Sequence, residues 1–393
     1  MLKGDATFIK KMNKSLILSN IIEHKLISRA ELSKITGLNK ATISVQVSDL
    51  LDKELIIETQ QEHKSLGRRP IMLSVNREAG FALGIDLDKN SITFTISDLI
   101  GTSIQTDIIE MQVSEYDVIL KILIEQITCY KFKFAHTRYG LVGITIGIHG
   151  IVNKDEMIDF VPKHGWRNKT LKKDLENEIG VNVYIENNAN LCSIAEKVYK
   201  HHQSNNLLSV SLYSGIGLGF IINGVLFKGF HGYAGEIGHM IVVPNGLPCR
   251  CGNLGCWEQY ASELSFITQF AENQKEIAFN LEDFQNRINE HDPVFLKEID
   301  RFIMYLSIGL NNLINLYNPE ILVVNSEILR LCPNAAEELK AHLSSSISHY
   351  SELLISEFGK RACIMGACAL TIQNFLGVSE LCLTLCEESF LDK

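Results

Sequence analysis

The stretch His239-Met-Ile-Val-Val-Pro-Asn-Gly-Leu-Pro-Cys249-Arg-Cys251-Gly-Asn-Leu-Gly-Cys256-Trp-Glu258 governs the interpretation of the whole chain. Neutral imidazole and thiolate are the usual ligands of tetrahedral zinc, and three sulfurs with one nitrogen complete a structural site. We therefore predict that His239, Cys249, Cys251 and Cys256 bind one zinc ion. Glycine and proline between the cysteines suit tight turns that would point close-spaced sulfurs at one ion. The alternative is three buried free thiols with a histidine nearby.

Two acidic residues flank this stretch, Glu236 shortly before the histidine and Glu258 after the last cysteine. A zinc ion bound here would fix a loop that holds both carboxylates and the imidazole near one point. Such groups form hydrogen bonds with hydroxyls, so we expect the arrangement to bind a sugar. Composition alone also allows both acids to be ordinary solvated surface residues.

Length and composition indicate a globular protein with more than one domain. The 393 residues suffice for two or three domains with sizeable cores. No apolar run is long enough to span a membrane, and the N-terminus lacks a signal-peptide pattern. Ten irregularly spaced cysteines favour a reduced compartment over a disulfide framework. We therefore expect a cytoplasmic protein.

Charge is unevenly distributed along the chain. Residues 1–76 contain 12 lysines and arginines against 8 acids, a net charge of +4, whereas residues 77–393 carry −13. A basic head on an acidic body suggests that only the head contacts nucleic acid.

The head has the sequence pattern of a helix-turn-helix. Helical spacing of apolar residues predicts a first helix over Ser15–Ile22. A capping box that starts at Ser28 predicts a short second helix, and Gly37 predicts its end. Asn39 would cap a third helix over Lys40–Lys53. We therefore predict a winged helix-turn-helix domain over residues 1–76.

The third helix and a basic loop are expected to contact DNA. The last helix of this motif enters the major groove N-terminus first, and strands at 55–59 and 71–75 would form a β-wing around the loop. The side chains best placed to reach bases or phosphates are then Asn39, Lys40, Thr42, Ser44, Lys64, Arg68 and Arg69. We expect a homodimer on a palindromic operator. The alternative is a three-helix module that contacts another protein and carries a charged surface loop.

The body, residues 77–393, alternates strand-like and helix-like segments. Runs with one or the other spacing are 80–97, 141–148, 181–185, 191–199, 208–213, 302–316 and 321–324. This repetition predicts two α/β lobes that face a cleft. Asn187 and Asn188 follow a predicted strand, and α/β sheets bind ligands at the ends of their strands.

Over nearly its whole length the chain resembles the ROK family of repressors and sugar kinases. The most specific part is Gly-Glu-Ile-Gly-His at 235–239 followed by Cys-x-Cys-x4-Cys-Trp-Glu at 249–258, which matches the family's zinc signature. The head, with Gly-Leu-Asn-Lys-Ala-Thr at 37–42 and Gly-Arg-Arg-Pro at 67–70, is similar to the xylose-operon repressors of Gram-positive bacteria. The resemblance implies an actin-like (RNase H-like) two-lobed body, one zinc ion per chain and a sugar bound in the cleft.

The resemblance also implies which residues contact the sugar. Carried over residue by residue, they are Asn187, Asn188, Glu236, His239 and Glu258. His239 would use one ring nitrogen for zinc and the other for a sugar hydroxyl, which couples the metal to the ligand.

Three features of the family's kinases are altered in this chain. The phosphate turn after the first body strand lacks glycines and reads Asp86-Leu-Asp-Lys-Asn90. Asn188 replaces the catalytic aspartate, and an amide cannot take the proton from a sugar hydroxyl. Asn325 and Ser326 replace glycines of the nucleotide site. The glycine run at 215–219 is retained, and it fits either a nucleotide site or a tight turn of the sheet.

We therefore predict a sugar-responsive transcriptional repressor and not an enzyme. A sugar inducer, expected from the resemblance to be xylose, would release the protein from its operator. The alternatives are an active sugar kinase with an appended DNA-binding head and a zinc-dependent interaction module without a ligand.

Overall fold

A computed structural model describes residues 6–60, 71–274 and 280–385. The chain forms two compact units, the first comprising Met1–Asn188, Val198–His202 and Ile364–Lys393, and the second Ala189–Lys197 and Gln203–Cys363. Within the described ranges, no helix is both long and apolar enough to cross a membrane. The nine cysteines in those ranges are free thiols.

The head contains three helices and three short strands. They are α1 (Ala6–His24), β1 (Ile27–Ser28), α2 (Arg29–Thr36), α3 (Lys40–Asp52), β2 (Ile56–Gln60) and β3 (Ile71–Val75). The strands pair in the antiparallel order β1–β3–β2. The predicted boundaries of α2 and the predicted start of α3 are confirmed, because Ser28 and Glu31 form the capping box, Gly37 ends α2 at a φ of 70° and Asn39 caps α3. The first helix is longer than the predicted Ser15–Ile22, since it begins at Ala6 and ends at His24. Residues 61–70, which include most of the predicted wing loop, lie outside the described residues.

A five-stranded sheet forms the centre of the rest of the first unit. Its elements are β4 (Phe81–Leu87), β5 (Ser91–Ser97), β6 (Ser103–Glu110), α4 (Tyr116–Lys133), β7 (Leu141–Ile148), β8 (Ile151–Val152), β9 (Ile158–Val161), β10 (Trp166–Lys169), α5 (Leu171–Ile179) and β11 (Val183–Asn187). Helix α6 (Asn188–Tyr199) follows, and most of it belongs to the second unit. The sheet order is β11–β7–β4–β5–β6, and β8 to β10 form a small separate sheet. Strands β11, β7 and β4 are parallel, so their carboxyl ends share one edge.

A second five-stranded sheet forms the centre of the second unit. The elements that follow α6 are β12 (Leu207–Ser211), β13 (Gly217–Ile222), β14 (Val225–Leu226), α7 (Glu258–Ala261), α8 (Glu263–Gln274), α9 (Leu281–Asn289), α10 (Pro293–Tyr317), β15 (Ile321–Asn325), α11 (Glu327–Leu331), α12 (Ala335–His342) and β16 (Glu352–Ile355). The last helix, α13 (Ala362–Leu376), belongs almost entirely to the first unit. The sheet order is β14–β13–β12–β15–β16. Its apolar face and one face of α10 form a continuous core that includes Trp257.

Most strands and helices of the body agree with the sequence pattern, and the differences have local causes. Helix α6 begins at Asn188, directly after β11, because the polar run 188–190 forms its first turn. Helix α10 begins at Pro293, where Asp292 caps it and the missing amide of proline is not needed. Strand β6 and helix α4 are absent from the sequence prediction.

The head contacts the first sheet's unit through hydrogen bonds at two places. The Tyr139 hydroxyl donates to the Lys53 carbonyl at the end of α3, at 2.8 Å. The Ser19 hydroxyl of α1 donates to the Glu380 carbonyl in the C-terminal segment, at 2.9 Å. The head is therefore fixed to the first unit, although the domain boundary after residue 76 stays a prediction.

Candidate functional site

The four predicted metal ligands lie together in the second unit. The ligand atoms of His239, Cys249, Cys251 and Cys256 are all within 4.8 Å of one another. The Sγ of Cys249 lies 3.5 Å from His239 Nδ1, and the Sγ atoms of Cys251 and Cys256 are 3.5 Å apart. Tetrahedral zinc with bonds of about 2.3 Å to sulfur places two sulfurs about 3.8 Å apart. Three thiols and one imidazole at these separations could therefore hold a metal ion.

Tight backbone turns bring the cysteines together. The Cys249 amide donates to the Asn253 carbonyl at 2.9 Å, and the Gly252 amide donates back to the Cys249 carbonyl at 3.0 Å. Gly255 has a φ of 83°, and a Cβ there would lie 1.7 Å from the Val243 carbonyl oxygen, so no other residue fits. Glycine is thus required where the chain turns back between the second and third cysteines.

A buried tryptophan anchors the C-terminal end of the metal loop. Trp257 is fully buried, and its indole Nε1 donates to the Tyr305 carbonyl of α10 at 2.9 Å. A Cβ on Gly309 would lie 2.1 Å from the indole, so α10 approaches the ring as closely as possible. This anchor fixes the positions of Cys256 and Glu258, the two neighbours of Trp257. The sequence pattern does not reveal it, since Gly309 lies far along the chain.

The Glu258 carboxylate lies beside the thiol and imidazole cluster. Its Oε1 is 3.1 Å from Cys249 Sγ and 3.5 Å from His239 Nδ1. Glu236 is exposed as a residue. Partial burial of its carboxyl raises the pKa of Glu236, the His239 ring lowers it, and the nearby Glu258 carboxylate raises it further. The structure thus brings together the predicted metal ligands and the predicted sugar ligands of the second unit.

The predicted amide ligands, Asn187 and Asn188, lie in the first unit at the carboxyl end of β11. Asn187 is the last residue of the strand and Asn188 is the first of α6. The Asn187 Nδ2 donates to the Gly150 carbonyl at 2.8 Å, which fixes the orientation of this amide. Both side chains are half-buried. This is the strand end at which α/β sheets bind ligands.

The turn after β4 is filled by the protein's own charges. Lys163 Nζ lies 2.6 Å from Asp88 Oδ1, and the Lys89 amide donates to the same oxygen at 2.7 Å. Burial raises the pKa of Asp88, but His149 and Lys163 outweigh it and hold that pKa at about 2. The carboxylate is therefore charged at neutral pH and repels a phosphate at this turn.

Buried side chains also stand at the two positions where the nucleotide site of the kinases is expected to have glycines. Asn325 and Ser326 are fully buried. The Tyr213 hydroxyl donates to Asn325 Oδ1 at 2.9 Å, and Asn325 Nδ2 donates to the Gly359 carbonyl at 3.1 Å. Ser326 Oγ donates to Glu263 Oε1 at 2.7 Å. These contacts occupy space that glycines would leave open.

The retained glycine run is explained by close packing inside the second unit. A Cβ on Gly217 would lie 2.8 Å from the Ala189 Cβ, and one on Gly219 would lie 2.5 Å from the Ala189 carbonyl oxygen. Strand β13 thus needs glycines to approach the first turn of α6. This packing accounts for Gly217 and Gly219 without a nucleotide, while a Cβ on Gly215 would lie 2.9 Å from Glu258 Oε2.

The predicted DNA contacts are only partly described. The Asn39 side chain accepts from the Thr42 amide at 2.8 Å and caps α3. Lys40 and Ser44 are exposed near the start of that helix, as a groove contact requires. The three basic residues predicted at the wing tip, namely Lys64, Arg68 and Arg69, lie outside the described residues.

The chain thus combines a helix-turn-helix head with two α/β units, and the second unit contains a Cys3His cluster. A helix-turn-helix head is typical of DNA-binding regulators. The family model described as ROK family matches residues 82–374. The chain belongs to the ROK family. It is 36% identical over 385 residues to the xylose repressor of Bacillus spizizenii, with 96% of this chain and 99% of that protein covered.

Two solved structures show the same fold. A ROK family transcriptional regulator, a homologue of the E. coli MLC protein, matches with a TM-score of 0.79 and 27% identity, covering 94% of this chain and 97% of that one. A ROK family glucokinase from Streptomyces griseus, in complex with glucose and AMPPNP, matches with a TM-score of 0.65 and 23% identity. It covers 74% of this chain and 99% of that one.

Proposed function

We propose that this ROK protein is a transcriptional repressor whose affinity for operator DNA is controlled by a sugar, and that the sugar is xylose. The observation that carries the proposal is the share of this chain that each relative covers. The xylose repressor of B. spizizenii aligns over 96% of this chain, head included, whereas the glucokinase structure covers 74%. The altered turn at Asp88 and the amide at 188 agree, because both disfavour phosphoryl transfer.

The metal is proposed to be zinc, held by the imidazole of His239 and three thiolates. The donor set supports this choice, since Cys3His is a structural zinc combination. The ion would supply no catalysis; bound there, it would hold the loop between His239 and Glu258 in one conformation. His239 Nδ1 is the ring atom that faces Cys249, so Nε2 is the nitrogen proposed to meet a sugar hydroxyl.

The sugar is proposed to be held by amides and carboxylates. These residues are Asn187, Asn188, Glu236, His239 and Glu258. Carboxylates accept hydrogen bonds from hydroxyls, and amides both donate and accept them. Asn188 can therefore bind a hydroxyl without removing its proton.

The head, residues 1–76, is proposed to bind a palindromic operator in the cytoplasm as part of a homodimer. Helix α3 would lie in the major groove, and the basic residues of the wing would contact phosphates or the minor groove. The Tyr139 and Ser19 hydrogen bonds tie α3 and α1 to the first unit, which supports transmission of a sugar-induced change to the head. A coupling of roughly 1–3 kcal/mol would weaken operator binding about 5–150-fold.

Fluorescence anisotropy with labelled DNA from upstream of the gene tests the proposal. We expect xylose to release the purified protein, and glucose or N-acetylglucosamine to release it less effectively. Failure of xylose to weaken DNA binding at millimolar concentration, while another sugar does so, would reassign the inducer. DNA binding that no sugar affects would refute sugar control altogether.

A further inference from the structure

The carboxyl edge of the first sheet carries one more polar group that neither the zinc nor the sugar assignment uses. In the parallel register, Asp86 pairs with Gly147 and Asn187 pairs with Ile148. His149 follows Ile148, so it lies between the ends of β4 and β11. Neighbouring strands are about 4.8 Å apart. The imidazole therefore belongs to the same edge as the proposed amide ligands.

The His149 ring is held in place from one side only. Its Nε2 lies 2.8 Å from Asp86 Oδ1, and the two side chains are 15% and 18% exposed. The other ring nitrogen, Nδ1, forms no hydrogen bond with the described residues. Burial lowers the pKa of His149, but the carboxylate of Asp86 outweighs this and the pKa is raised. A largely buried imidazole thus keeps one nitrogen available.

Among the charged groups near His149, Asp86 is the carboxylate that pairs with its ring. Asp88 also faces the ring, but Lys163 lies 2.6 Å from its Oδ1 and occupies it. Asn187 Nδ2 donates to the carbonyl of Gly150, the residue after His149, so this amide is fixed to the same turn of the chain. The polar edge is therefore built from fixed groups.

We propose that His149 is a further sugar-contacting residue, which binds a hydroxyl of the inducer through Nδ1, and that Asp86 positions its ring. A hydroxyl can both donate and accept, so it satisfies Nδ1 in either protonation state of the ring. The proposal rests on the proposed sugar-binding function and adds one residue to the set that contacts the sugar. The competing role for His149 is a structural ion pair with Asp86.

Two substitutions at position 149 separate these roles. The glutamine amide reaches about as far as Nε2, so His149→Gln keeps the bond to Asp86 and loses the group at Nδ1. The asparagine amide lies near the position of Nδ1, so His149→Asn does the reverse. By calorimetry with D-xylose, we expect His149→Gln to lower affinity about 10–100-fold and His149→Asn to recover part of the loss. Operator affinity and thermal stability of His149→Gln should stay at the wild-type level.

A control removes a charge from an exposed ion pair on α4. Lys121→Met breaks the pair with Glu125, and we expect xylose affinity to stay within about twofold of wild type. If His149→Gln binds xylose as tightly as wild type, the inference is wrong and the repressor proposal stands. If the wild type binds no xylose, glucose or N-acetylglucosamine, the proposed function fails first and the inference falls with it.

Nitrogen-15 NMR of labelled histidines provides a readout that does not depend on a substituted protein folding well. The His149 signals are assigned as those missing in His149→Gln, or from backbone-linked experiments if that variant is unstable. Saturating D-xylose should shift the Nδ1 signal of His149, while D-mannitol should not. An Nδ1 signal unmoved by bound xylose would overturn the inference.

Discussion

Two polar regions of the molecule differ in how their polar groups are satisfied. One is the turn after β4 in the first unit, and the other is the metal loop 239–258 in the second unit. In the turn, Asp88 and Lys163 lie 2.6 Å apart and form an ion pair within the protein. In the loop, four metal-type donors converge within 4.8 Å, and soft donors at such distances are satisfied by a metal ion. The turn thus pairs its charges within the protein, whereas the loop offers donors that could hold a metal ion. Under the proposed function, this difference would let a protein related to kinases bind a sugar without phosphorylating it.

The largest effect is expected from the metal loop. Cys251→Ser removes one thiolate, so zinc should fall from about one ion per chain to about none. Because the loop positions Glu258, release from DNA by xylose should be lost with it. Metal analysis and anisotropy measure the two effects. Cys129→Ser, at an exposed free thiol, is the control and should change neither. A metal-replete, inducible Cys251→Ser protein would contradict the coupling of metal to sugar.

The next effect concerns the carboxylate beside the cluster. Glu258→Ala should lower xylose affinity roughly 10–150-fold, the worth of one charge-assisted hydrogen bond, and leave operator affinity unchanged. Calorimetry with xylose and anisotropy with operator DNA give the two values. Glu272→Ala, at an exposed residue, is the matched control. Normal induction of Glu258→Ala would remove this residue from the sugar site.

A third substitution asks whether the amide at 188 is the only barrier to catalysis. Asn188→Asp restores a carboxylate at the position of the kinase base, which is worth about 10²–10⁴ in rate where the rest of the site is intact. We expect no phosphorylation of xylose or glucose in a coupled ATP assay, because Asp88 still repels phosphate and Asn325 still fills its position. Turnover by the single variant would show that a working nucleotide site remains. The Asn188→Asp, Asp88→Gly double variant tests whether the turn is the further barrier.

The smallest effect concerns the ion pair of the turn. His149 and Lys163 together lower the pKa of Asp88 from its ordinary 3.8 to about 2. Their contacts with Asp88 therefore stabilise the fold above pH 3.8, and this contribution is lost as the pH falls towards 2. Asp88 is 44% exposed, so Lys163→Met should lower the free energy of unfolding by no more than about 1 kcal/mol at pH 7. Urea unfolding at pH 7 and pH 3 should show this difference shrinking at the lower pH. Lys121→Met, in an exposed pair, should show none; a difference that grows towards pH 3 would contradict the assignment.

Local signals made the head and the metal loop predictable. The capping box at Ser28, the turn at Gly37 and the cap at Asn39 act within a few residues, and the structure has all three. The cysteine spacing and its glycines likewise fix a short loop. Here the chain's own neighbours determine the conformation.

Long-range contacts were not predictable from one sequence. The fit of Trp257 against Gly309 and the pair of Asp86 with His149 join residues far apart in the chain. No periodicity connects such positions, because they meet only after sheets and helices have packed.

The proposed function requires that a sugar controls DNA binding without being phosphorylated. This requirement is tested most directly in a single mixture of protein, labelled operator DNA, ATP with Mg²⁺, and xylose. Anisotropy follows the DNA while mass spectrometry follows the sugar. We predict that xylose releases the DNA and is recovered unphosphorylated, at an amount unchanged by prolonged incubation. Accumulation of phosphorylated xylose that depends on the protein would contradict the account.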